Sequence, residues 1–197
     1  MRILWSMVIW IGLGLGVSAQ SVDQKLDISQ LLENLPERTL KQLQQKPEKF
    51  LEEAVILIAG FGGEFGSGEA GIDLTGINAS INLDRAWVRA REMRRLMVAD
   101  LDNDHAIKHA EIRVLITAER AGKRGLLLLG FQAADMNNDG TVTQAELQNH
   151  AQTRAMAAVS VEDAHRKRAL MAFDLDGDGR VQINEVAQVV EAFSPEA

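Results

Sequence analysis

The 197-residue sequence has no cysteine, no tyrosine and only three prolines. Without cysteine there can be no disulfide staple, no thiol nucleophile and no thiolate metal site. Aromatic residues make up 5% of the chain against 46% hydrophobic residues overall, so Leu, Ile, Val, Ala and Met must build the core. No convincing long strand is present, which makes the expected class all-α. No nucleophile motif, phosphate loop or zinc-protease signature occurs, and nothing argues for an enzyme. The length suits one large domain or two small ones with a real core.

Long apolar runs are scarce as well. The one at the start, MRILWSMVIWIGLGLGVSAQ, places Arg2 before an apolar stretch from Ile3 to Val17 and closes on Val17-Ser18-Ala19. This is a signal-peptide layout with small residues before a cleavage point. A spanning helix needs about 20 apolar residues, so an uncleaved anchor is the lesser reading. Residues 1–19 are expected to be removed, the mature chain to begin near Gln20, and the destination to be secreted or periplasmic. No stable membrane insertion is expected after cleavage, and no nucleic-acid partner.

The net charge is −7, but it is local. Residues 100–111, 135–146 and 174–185 hold eleven of the 28 acids; the other 17 face 21 Lys and Arg. Such an arrangement points to small cation sites, not to a solvating acidic tail.

Helical patterns surround these stretches. Leu26 or Ile28, Leu31, Leu32 and Leu35 share a face, and Pro36 and Pro47 each stand where a helix could begin. PEKFLEEAVILIAG reads as a buried helix ending at Gly60. Residues 60–76 read as a glycine-rich loop. Residues 84–99 read as a helix with Ala86, Ala90, Met93 and Met97 on one face. Helices are further expected over 109–121, with a break at GKRG (122–125), over 143–159, from a Ser160 cap to Phe173, and from about Gln182.

The acidic stretches between them are DLDNDHAIKHAE (100–111), DMNNDGTVTQAE (135–146) and DLDGDGRVQINE (174–185). The last two follow one spacing, with oxygen-bearing side chains at places one, three and five, glycine at six, an apolar residue at eight and Glu at twelve. A hard cation such as calcium takes six to eight oxygens at about 2.3–2.6 Å, which a tight turn with this spacing can present. Glycine at six permits the positive φ of the bend.

At these residues the chain resembles the EF-hand family, over at least 84–197. The resemblance implies helix–loop–helix repeats paired through short bridges at place eight, with Ca2+ as cofactor. It assigns Asp135, Asn137, Asp139, the Thr141 carbonyl, Thr143 and Glu146 to one site. The other takes Asp174, Asp176, Asp178, the Arg180 carbonyl and Glu185, with Gln182 at place nine. Dockerin loops are similar but lack full entering helices and usually end in Asp. The first stretch carries Asp100, Asp102, Asp104 and Glu111 but has His105 at place six and Lys108 at place nine, so weaker binding is expected there.

The place-eight residues Ile107, Val142 and Val181 stand 35 and 39 apart. Another step of 35 reaches Ile72, and 65–76 then reads as a vestigial hand that lacks the first carboxylate and the closing Glu, with Ser67 at place three and Glu69 at five, or as an ordinary linker. The first reading divides the mature chain into an N-terminal helical segment (20–46), a pair at 47–121 and a pair at 122–197, with Ile72 facing the Ile107 segment.

Three features carry weaker alternatives. The arginines at 85, 89, 91, 94 and 95 suit a solvated helix face more than an anionic partner site. Leu126–Leu129 and the methionines suit core packing more than a partner groove. His105 and His109 alone make a weak transition-metal site. The best functional expectation is an exported, non-enzymatic calcium binder with a structural or buffering role. The alternative is a calcium-dependent adaptor for an unidentified protein partner, and an enzyme subunit ranks below both.

Overall fold

The computed structural model describes residues 31, 35–63 and 71–193. The signal segment, most of the expected helix at 26–35, and residues 65–70 of the vestigial loop lie outside them. Among the described residues the architecture is all-α with one two-stranded sheet. Its elements are α1 (Glu37–Gln45), α2 (Pro47–Phe61), α3 (Leu74–Met97), β1 (Ile107–Lys108), α4 (His109–Ala118), α5 (Ala121–Ala134), β2 (Thr141–Val142), α6 (Gln144–Ala158), α7 (Val161–Arg168), a 3-10 turn (Ala169–Phe173) and α8 (Ile183–Phe193). No helix among these residues is long and apolar enough to cross a membrane.

Pro36 and Pro47 each start a helix, where a missing N–H costs nothing: Pro36 caps α1 and Pro47 opens α2. On α2 only Phe50, Ala54 and Ile58 are buried, a single i, i+4, i+8 stripe, and Ile56 is exposed. The expectation of a helix buried all round is therefore corrected: Leu51, Leu57 and Phe61 pack only partly against the core, and Ile56 faces outward. GKRG does not break a helix either. The break falls at 119–120, and Gly122 and Gly125 lie inside the first turns of α5 with open space around them. Ser160 caps α7 as expected, its hydroxyl accepting from the Asp163 N–H at 3.1 Å.

The largest departure is α3. It begins at Leu74, ten residues before the expected start, and runs unbroken for 24 residues. Asp73 caps it, its side chain accepting from the Gly76 N–H at 2.8 Å. From Ile77 to Met97 there is no glycine or proline to stop it. The buried face is Ile77, Ser80, Ile81, Glu92 and Leu96, whereas Ala90 and Met97 of the expected face are exposed.

This helix of about 36 Å reaches two separate cores. Ile77 and Ile81 join Phe50, Ile58, Ile72, Phe173, Val181 and Val186 in the first. Leu96 joins Ala99, Ile107, Ile112, Phe131, Val142 and Leu147 in the second. Cross-ties hold α3 against α6 and α7. Arg85 donates to the Val159 carbonyl, Lys167 binds Ser80 and Asp84, and Arg168 donates to Asn78. Glu92, half-buried Arg95 and His150 meet in the same seam, where burial pushes the His150 imidazole down.

The bridges follow from this. Ile107 pairs with Val142 and Lys108 with Thr141, antiparallel, while Ile72 bridges Val181. The expected pairing of Ile72 with the Ile107 segment, and with it the grouping of loops in consecutive pairs, is overturned. The loops are nested instead, outer with outer and inner with inner. One rigid helix leaves the first loop and enters the second, so those two loops stand at opposite ends of a rod and cannot meet.

Nesting has a thermodynamic signature. Ile72→Ala and Val181→Ala are expected to couple by about 0.5–3 kcal/mol in a double-mutant cycle read by urea unfolding. Ile72→Ala and Ile107→Ala should add. Coupling only in the second cycle would contradict the nested arrangement.

Candidate metal centre

The three acidic loops share one hydrogen-bonded scaffold. The Oδ2 atom of the place-one Asp accepts from the place-six N–H: His105 to Asp100 at 3.1 Å, Gly140 to Asp135 at 2.9 Å and Gly179 to Asp174 at 2.9 Å. Place five accepts from the N–H at place seven in Asp104, Asp139 and Asp178, at 2.9, 2.8 and 2.7 Å. Place three accepts from the place-five N–H in Asp102, Asn137 and Asp176, at 3.2, 2.9 and 3.0 Å. These bonds turn the side chains of places one, three and five toward the middle of the turn.

The closing glutamates tie each loop end to its beginning. Glu111, Glu146 and Glu185 accept at Oε1 from the place-two N–H and at Oε2 from the place-nine N–H. Glu111, Asp135 and Glu185 are buried. Thr143 makes a full capping box with Glu146, its hydroxyl donating to Oε2 at 2.8 Å and accepting from the Glu146 N–H. The Thr143 N–H and hydroxyl hold the Glu146 carboxyl below its ordinary range.

The bend at place six is present in all three loops. His105 takes φ 65°, beside 83° at Gly140 and 84° at Gly179. Place four is left-handed too, at Asn103, Asn138 and Gly177. Histidine there costs roughly 1–2 kcal/mol, but the backbone still follows the same path.

Place nine separates the loops chemically. It is neutral in Thr143 and Gln182. In the first loop the Lys108 ammonium reaches into the cluster, 2.7 Å from Asp102 Oδ2 and 2.5 Å from Asp104 Oδ2. The ammonium pulls the Asp104 carboxyl down, and the bonds to Asp102 and then Asp104 push the Lys108 ammonium up. The sequence put a cation near this loop; the structure puts it between two of the carboxylates.

The donor chemistry of 174–185 fits a hard cation. One oxygen each from Asp174, Asp176 and Glu185 lies within 4.8 Å of the others, the Asp178 N–H and carboxylate belong to the same scaffold, and the Arg180 N–H is anchored on Asp178. Loop 135–146 has the same scaffold with three carboxylates and one amide, and Asn137 Nδ2 donates to Asp139 Oδ2 at 2.9 Å. Thr141 lies at the sheet, paired with Lys108. Asp100, Asp102 and Asp104 also converge within 4.8 Å, but the Lys108 ammonium binds two of them, Asp102 and Asp104.

In the window 65–76, Gly76 stands at the place of the closing Glu and has no side chain to offer. A Cβ at Gly76, the place of the closing Glu, would lie 2.5 Å from the Phe61 carbonyl oxygen. A glutamate there would displace the backbone. Ile72, by contrast, is fully buried and bridges Val181, as a place-eight residue should.

His105 lines a small cavity with Met93, Met97 and Leu147, whereas the His109 ring lies 6.0 Å from that of Phe131. Leu127 is core, but Leu126 and Leu129 are exposed, which corrects their reading as packing residues. Arg85 and Arg95 serve the α3–α6 seam and are not simply solvated.

A family model described as EF hand matches residues 130–149 and 167–190, which span the second and third acidic loops with flanking helix. No curated protein and no solved structure matches the chain.

Thr143→Ala is expected to remove the N-cap of α6, at about 1 kcal/mol of stability in urea unfolding. The same change should raise the Glu146 carboxyl toward its ordinary value. Because that carboxyl is lowered in the folded state, its contribution is complete above the ordinary Glu value and fades as pH falls through the lower folded one. A 13C titration of the Glu146 carboxyl in metal-free protein checks this, and an unchanged midpoint in the variant contradicts it.

Proposed function

We propose that residues 130–149 and 167–190, which match the EF-hand family model, are EF hands and that this protein binds two calcium ions, one in each of their loops. Asp174, Asp176, Asp178, Glu185 and the Arg180 carbonyl would hold one. Asp135, Asn137, Asp139, Glu146 and the Thr141 carbonyl would hold the other, with Thr143 at place nine capping the exiting helix. The observation that carries this reading is the convergence of Asp174, Asp176 and Glu185 within 4.8 Å of one another, inside a scaffold whose place-one, place-three, place-five and place-twelve bonds loop 135–146 shares. When bound, calcium would supply a divalent charge that neutralises acids already gathered by the backbone.

The protein acts as an exported, non-enzymatic binder in which calcium is a structural or buffered ion. The signal-like sequence at 1–19 supports export. Exported modules often work at about 10⁻⁴–10⁻³ M calcium, where such loops would stay filled. A second reading, an adaptor for a protein partner, draws on the exposed Val114, Leu126 and Leu129. A calcium-dependent gain in ANS fluorescence would favour it; equal fluorescence with and without calcium favours the static binder.

Calorimetry should count two calcium ions per chain. Glu146→Gln and Glu185→Gln should each remove one and leave the far-ultraviolet circular dichroism nearly unchanged. Two ions retained in both variants, or no binding by the unaltered protein, would sink the assignment. The mass of the exported chain, expected to begin near Gln20, checks localisation.

A further inference from the structure

The inner pair joins two loops with the same backbone and unlike chemistry. Loop 135–146 presents its oxygens with a neutral residue at place nine. Loop 100–111 presents at least as many carboxylates, four against three, and would rank as the richer site by acid count. Its bend is made, with His105 in the left-handed region beside the glycines of the other loops. Its closing Glu111 is buried and bonded at both oxygens. Measured by the scaffold alone, nothing is damaged.

What differs is the occupant. Lys108 leaves the strand β1, and its ammonium binds Asp102 and Asp104 across the turn. An ammonium nitrogen at this distance from two carboxylate oxygens sits close to where a metal would take oxygens at about 2.3–2.6 Å. The two cations cannot share the place, and moving the ammonium out leaves it tethered nearby as a like charge. The backbone of Lys108 is meanwhile fixed by the sheet, paired with Thr141, and by its N–H bond to Glu111.

We propose that Lys108 is the built-in cation of loop 100–111: its ammonium closes this hand without metal and keeps calcium out. The inner pair then consists of one loop that waits for calcium and one that never needs it. Lys108 also holds β1 in register for β2, so loop 135–146 meets a partner already formed when calcium is absent. The inference goes beyond the two-site reading and does not depend on it, because it concerns which cation the remaining loop holds.

The test uses the full chain carrying Glu146→Gln and Glu185→Gln, in which the two proposed sites are silenced, with calcium binding counted by calorimetry. This background should bind none. Adding Lys108→Thr should create one site, with Kd at or below about 10⁻³ M, whereas adding His105→Gly alone should create none. A site gained with His105→Gly alone, no site with a folded Lys108→Thr variant, or a site in the background that Asp104→Asn removes would each overturn the proposal. If the unaltered protein binds no calcium but Lys108→Thr alone binds one, the two-site reading fails and this one stands.

A second measurement covers a variant that does not fold. In the unaltered protein, amine acetylation followed by mass spectrometry should find Lys108 slow to react and no faster when calcium is added. Asp102→Asn with Asp104→Asn should speed it several-fold. Acceleration by calcium would mean that metal displaces the ammonium, and the proposal would fall.

Discussion

The unbroken helix α3 is the constraint on which the arrangement rests. It leaves one loop and enters the next with no linker between them, so the first and second loops are held a helix length apart. Each must then find its antiparallel bridge elsewhere. Ile72 takes Val181 and Ile107 takes Val142. Two cores result, one at each end of α3, and the polar seam of Arg85, Lys167, Arg168 and their partners joins the halves along its length. These ties are partly exposed and each is worth little. The apolar contacts at the two ends carry most of the burial.

The same scaffold of short backbone-to-carboxylate bonds builds three loops, and small changes set their chemistry. Place twelve is Glu where the loop must close on its own start, and Gly76 where a carbonyl leaves no room for a side chain. Place six accepts histidine at a modest cost in strain. Place nine is where the loops differ in charge. It is a neutral Thr or Gln in two of them, and in the third a lysine whose ammonium binds Asp102 and Asp104. Charge count alone does not separate loop 100–111 from loop 174–185, which hold four acids each.

Much of the site was legible in the residues, and the reason is local. Ligand spacing, the glycine bend and the capping pairs Thr143–Glu146 and Ser160–Asp163 act within a dozen residues, so sequence distance stands in for spatial distance. The place-eight ruler found Ile72 for the same reason, since each loop has one inward apolar residue. Helix faces were read less well. Ala90 and Met97 were expected inside and Glu92 was not, because an arginine-rich helix shows no clear stripe, and only its neighbour α6, with His150, selects the face that is covered. Leu126 and Leu129 were misplaced for the converse reason, a run of four leucines that gives no phase.

The sequence by itself determined the all-α class, the loop positions and which side chains gather in each turn, because turn geometry and residue spacing are short-range. Only the tertiary structure decided which loop meets which, because that depends on where α3 starts and on its rigidity over two dozen residues. It also decided where the Lys108 ammonium lies. A flexible side chain near an acidic turn can lie in solvent or reach inward, and it is the position of β1 against β2 that places this one between Asp102 and Asp104.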